Sequence, residues 1–214
     1  MALIMYLTKA PRYQNIVTDE YETIPVSDIM LIEKYFNWKR VRSEGGNSGD
    51  TLEEWCGIPE SKLPHKYVVN HYRDFYTVKT RYSEYVGEVE DYGLFEHLAR
   101  FVKANQIFNW FIKNVMNGQA DKECHEVTKS NLEDLLRACI KVQNTFVKHE
   151  GEYSVDEDVA KEALPLMEER GYFFGTDEYG TIYARQVIDA IDVIKRILVT
   201  TDFNKEAVYF NATW

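Results

Sequence analysis

Three things are scarce in this chain. Cysteine is the first: 214 residues hold only Cys56, Cys124 and Cys139. An odd, sparse set argues against a disulfide framework and suits a reducing compartment, so a cytoplasmic location is expected. Long apolar runs are the second. The opening stretch Ala2 to Leu7 is too short to span a bilayer and lacks a basic leader, so neither a membrane anchor nor a signal peptide is expected. Positive charge is the third. Lys and Arg number 25 against 35 Asp and Glu, a formal net charge of −10. Such a field repels nucleic-acid phosphates and anionic membranes at long range, which disfavours both as partners. It leaves room for a small basic pocket around one anionic ligand.

Sequence signatures of catalysis are also missing. The histidines, His65, His71, His97, His125 and His149, form no i, i+4 pair and no short Cys/His spacing of the kind that builds a zinc site. There is no nucleophile elbow, Walker loop or dinucleotide fingerprint. No catalytic residue, metal ligand or cofactor is therefore assigned. Carboxylates are plentiful, but Asp156, Glu157, Asp158, Glu168 and Glu169 suit solvated helix faces and first turns.

Aromatic residues are abundant, with 15 Tyr and 11 Phe in a chain that is 45% hydrophobic. The length fits one domain, large enough to bury a core without disulfides or metals. Residues 3 to 8 alternate like a strand that Pro11 ends, and Ser27-Asp28 is placed to cap a helix over 27 to 42. Ser43 to Asp50 has loop composition and could be a connection or a lid. Thr51 to Glu54 spells a capping box for a short helix, and residues 66 to 85 lean towards helix. The strongest helical pattern covers 88 to 117, ended by Asn117-Gly118. A capping box at Ser130 to Glu133 opens a helix to about Lys148. A third, at Ser154 to Glu157, opens one that Pro165 kinks and Gly171 ends. Thr181 to Val199 is the last helix. The tail alternates Val208, Phe210, Ala212 and Trp214 with Tyr209, Asn211 and Thr213, a strand that could pair with the N-terminal one. The expected fold is α+β: a mainly helical single domain with a small sheet from the terminal strands. Its irregular part is 1–90 and its helical core 91–214.

Two segments are candidates for binding. Gly171 to Gly180 reads GYFFGTDEYG and sets Phe173, Phe174 and Tyr179 beside Thr176, either as a stacking wall for a flat ligand or as a turn that plugs the core. Lys103, Asn105, Gln106, Asn109 and Lys113 form polar strips beside Trp110. Asparagines inside a helix run against propensity, so they either bind a ligand or bond a neighbouring loop.

The segment Lys103 to Phe111, KANQIFNWF, resembles the KAN-x-I-x-x-WF helix of a group of uncharacterised bacteriophage and prophage proteins. The likeness continues in order through Asn131 to Leu136, Gly171 to Thr176 and Tyr209 to Trp214, covering about residues 94 to 214. Phe108 stands where that pattern has a His, and Ala212 where it has a small hydroxyl residue. Met5-Tyr6-Leu7 resembles the group's usual start, which makes residues 1 to 4 an expected upstream extension. The resemblance implies a phage origin and names no activity.

Three function classes follow. The first is a non-enzymatic phage binding protein in the host cytoplasm, with counter-defence as one form: sequestering a nucleotide signal or blocking a host immune protein. Its ligand-binding residues would be Lys103, Asn105, Asn109, Trp110, Lys113, Phe173, Phe174, Thr176 and Tyr179. The second is a nucleotide or phosphoester enzyme holding a divalent ion on carboxylates such as Asp177 and Glu178. The third is a virion structural or assembly protein. A homo-oligomer is compatible with all three.

Overall fold

The computed structural model describes residues 2–14, 18–43, 45–46, 49, 51–63, 96–167 and 173–214. The fold is α+β. The chain divides into two compact units, one formed by residues 1–8 with 98–214 and the other by 9–97. Among the described residues, no helix is long and apolar enough to cross a membrane. The whole of the expected 66–85 helix, and the first part of the one over 88–117, lie outside the described residues.

A four-stranded sheet has the order β4-β1-β8-β5, with β1 Ile4–Pro11, β4 Glu96–Val102, β5 His125–Val127 and β8 Glu206–Thr213. The two terminal strands thus lie side by side at its centre, as their matched isolation suggested. The simple alternation expected for the tail is only partial. Ala207, Val208, Tyr209 and Phe210 are all buried, because a central strand covered on both faces has no solvent side. Strand β5 pairs antiparallel with β8, Glu126 opposite Tyr209.

In the 9–97 unit, β2 (Tyr13–Gln14) and β3 (Tyr21–Glu22) form an antiparallel ladder. Helix α1 runs Val26–Ser43 and buries Ile29, Ile32 and Tyr35, a single stripe at a spacing of three. It starts earlier than Ser27-Asp28 suggests, because the Pro25 carbonyl accepts from the amides of Asp28 and Ile29. Helix α2, Leu52–Cys56, opens with the expected Thr51/Glu54 capping box and closes on left-handed Gly57.

The larger unit corrects the reading of 88–117. Glu96–Val102 is strand β4, and the helix, α3, is confined to Asn105–Asn114. The apolar positions that line up as a helix face are split between the two. Pairing along β1 decides the outcome over local propensity, and left-handed Lys103 (φ 56°) separates strand from helix. Asn117 and Gly118 do sit left-handed beyond α3, where the Gly118 amide reaches the Ile112 carbonyl.

Helix α4 is Lys129–Gln143. Its capping box is Thr128 with Asn131, two residues before the one expected, and Val147–His149 leaves the helix to form β6 with β7 (Glu152–Ser154). Helix α5, Glu157–Ala163, is capped by Asp156 and not by the expected Ser154 box, and it stops before Pro165, so no kink arises; the expected end at Gly171 lies outside the described residues. Helix α6, Thr181–Thr200, packs on α4 and inserts Val187, Ile191, Ile194 and Ile197 into one core shared with Leu3, Met5, Phe108, Phe111 and Phe210.

Candidate functional site

The candidate residues converge where β4 gives way to α3. The Lys103 amide donates to the Leu3 carbonyl at 3.0 Å, and the Leu3 amide donates to the Phe173 carbonyl at 3.0 Å. The N–H and C=O of one residue in an extended strand point the same way. Residues 103 and 173 therefore share one edge of the N-terminal strand: the 173–180 turn takes up pairing where β4 leaves off. Ala104 forms an antiparallel bridge with Gly175. Gly175 has φ 125°, and a Cβ built on it would lie 1.9 Å from the Lys103 carbonyl oxygen. Only glycine allows that approach.

Amide side chains then tie α3 down. Asn105, 4% exposed, donates to the Thr176 carbonyl at 2.7 Å and accepts from the Met167 amide at 3.3 Å. Asn109 donates to the Pro165 carbonyl at 2.9 Å. Gln106 is fully buried and donates to Gln186 Oε1 at 3.0 Å, while Gln186 Nε2 donates to the Lys103 carbonyl at 3.1 Å. Thr176 closes an ST turn by accepting from the Glu178 amide at 3.1 Å.

The rings of the turn have separate fates. Tyr179 accepts from the Leu166 amide at 3.1 Å and lies edge-on to Tyr183, 5.1 Å between centroids. Tyr183 donates to the Leu164 carbonyl at 2.8 Å, and burial, with smaller contributions from Tyr179 and Cys139, pushes its hydroxyl well above the usual tyrosine range. Phe174 is half-buried against Phe108 and Trp214, both 6.4 Å away. Phe173 stays 58% exposed.

The structure thus gathers Lys103, Asn105, Asn109, Phe173, Phe174, Thr176 and Tyr179 around the first half of α3. Trp110 is buried edge-on to Phe111. Lys113 is exposed, eight residues past Asn105 and so about 12 Å along the axis. Of the two roles open to the asparagines, Phe174 and Tyr179, the geometry supplies the structural one. Phe108 is fully buried among Phe174, Phe210 and Trp214.

Sequence reasoning missed Gln186, Leu3 and the contact of Gly175 with Lys103. A lone amide on the apolar α6 was the only available hint of the first. Leu3 is fully buried and bonded on both backbone atoms, so Leu3, although ahead of Met5, belongs to the folded unit.

Elsewhere, His125 Nε2 lies 2.7 Å from Asp121 Oδ1. Burial works to raise the Asp121 carboxyl, but hydrogen bonds from His125 and the Glu123 amide, with the attraction of the imidazole, hold it below the usual range. Burial pushes the Cys124 thiol up and the Cys139 thiol up to about 12, which leaves Cys139 inert as a nucleophile. Asp177 and Glu178 are exposed. Among the described residues no group of three or more His, Cys, Asp or Glu is placed to hold a metal ion. In comparisons with known proteins, no family model, no curated protein and no solved structure matches this chain.

Proposed function

We propose that the chain is a non-catalytic binding protein of phage origin, working in the host cytoplasm, and that it engages its target through the surface carrying Phe173. One observation carries this reading. Phe173 keeps 58% of its surface in water while the backbone beneath it is held by Leu3 on one side and by the Ala104–Gly175 bridge on the other. A large ring presented on a rigid support gains contact area without a large ordering cost, which is the property of a recognition anchor. Lys103, bonded through its amide to the Leu3 carbonyl and so on the same strand edge as Phe173, supplies a cationic side chain to this segment of a molecule of net charge −10. That combination supports counter-defence by sequestering a nucleotide signal or by obstructing a host immune protein.

Thermal unfolding against linear and cyclic nucleotides, with and without magnesium, tests the reading. A compound at about 100 times its dissociation constant adds roughly 2.7 kcal/mol, several degrees of Tm. Phe173→Ala should abolish that shift and leave the free protein's Tm nearly unchanged. Lys103→Ala should weaken binding and flatten its salt dependence. An unaltered shift in Phe173→Ala would remove this surface from the site. Consumption of the compound over hours, stopped by a chelator, would mark an enzyme using Asp177 and Glu178. If no compound shifts the Tm, a host protein captured by the wild type and lost in Phe173→Ala becomes the required result.

A further inference from the structure

We infer that Gln186 is the positioning residue of the Phe173 surface, acting from α6 through the carbonyl of Lys103. The inference deepens the binding reading and rests on it for its purpose, though not for its geometry.

Two independent contacts converge on one atom. The Lys103 carbonyl oxygen meets the Gly175 backbone, so closely that a Cβ there would fall 1.9 Å away, and it accepts from Gln186 Nε2 at 3.1 Å. Lys103 is also left-handed, a conformation unfavourable for a non-glycine residue that has to be held by its surroundings. The left-handed step turns the chain away from β1 and frees the edge that Phe173 occupies through Leu3.

The direction of the amide relay is fixed by chemistry. A carbonyl only accepts, so Gln186 turns its NH₂ to Lys103 and its oxygen to Gln106, which in turn must present its own NH₂. Gln106 is fully buried, and among the described residues its Oε1 has no donor, so the relay leaves one acceptor stranded. Through Gln186 the relay couples buried Gln106 to the carbonyl that meets Gly175.

The test is amide hydrogen exchange on the free protein, comparing Leu3, whose N–H is bonded to Phe173, with Val208 in the central strand. Gln186→Leu and Gln186→Glu should each cost Leu3 about tenfold in protection near neutral pH and leave Val208 unchanged. Glutamate at 186 still accepts from Gln106 but cannot donate to Lys103 until protonated, and the facing carbonyl favours its neutral form. Protection in Gln186→Glu should therefore return as pH falls, starting above the ordinary carboxylate range, and Gln186→Leu should show no return. Unchanged Leu3 protection, equal losses at Leu3 and Val208, or no recovery in Gln186→Glu would each overturn the proposal. Phe173→Ala keeps the carbonyl that Leu3 bonds and should retain Leu3 protection even where binding is lost. Failure of the positioning role and failure of the binding role are thereby read separately.

Discussion

Four helix starts of this protein, those of α2, α3, α4 and α5, are secured in two ways. At α2, α4 and α5 the bonds are local: Thr51 with Glu54, Thr128 with Asn131, and Asp156 with the Asp158 and Val159 amides. These groups sit in water. At α3 the N-cap residue is Ala104, without a side-chain cap. There Asn105, Gln106 and Asn109 reach partners 71, 80 and 56 positions away. A local cap satisfies one helix end and can be exchanged at modest cost. A buried long-range amide joins separate segments, and its loss strands whatever it satisfied. The α3 start is therefore where a single change should spread, and the caps are where it should not.

The sharpest break of that contrast is Gly175→Ala. The new Cβ would overlap the Lys103 carbonyl at a φ that L-residues avoid, so a loss of more than about 3 kcal/mol is expected in denaturant unfolding. A change below about 1 kcal/mol would mean that the bridge to Ala104 yields easily. Next comes Phe174→Ala, which removes a half-buried ring from Phe108 and Trp214 and should cost about 2–3 kcal/mol. Its neighbour Phe173→Ala should stay within about 0.5 kcal/mol. Equal effects would erase the distinction between core ring and surface ring. Asn105→Ala strands the Thr176 carbonyl and the Met167 amide and should cost about 1–3 kcal/mol. Thr128→Ala, at an exposed cap, should cost about 1 kcal/mol and leave exchange in the 173–180 turn untouched. If Thr128→Ala loosened that turn, the local and long-range classes would not be separate.

The difference also marks what could be read in advance. The Thr51 capping box, the α6 stripe of Val187, Ile191, Ile194 and Ile197, and the adjacency of the terminal strands were legible, since each depends on residues close in sequence or on one unpaired edge. The α4 cap was displaced by two residues because Thr128 and Asn131 form the same kind of box as Ser130 and Glu133, and the choice between them is not local. Glu96–Val102 was misread because Leu98, Phe101 and Val102 continue the period of α3. The edge of β1, far back in the chain at Ile4–Pro11, converts them to strand.

The candidate site divides in the same manner. Sequence alone marked the two segments, Lys103 to Lys113 and Gly171 to Gly180, as unusual, because asparagines inside a helix and paired rings beside a glycine conflict with local preference. It also determined the acidic charge, the α+β class and the helical pattern of the C-terminal half. Only the tertiary structure decided that Asn105 and Asn109 bond backbone carbonyls, that Phe174 enters the core while Phe173 remains in water, and that Gln186 reaches Lys103. Each of those outcomes depends on which distant group lies within hydrogen-bonding or van der Waals reach. Such reach is a property of the packed chain and leaves no periodicity behind it.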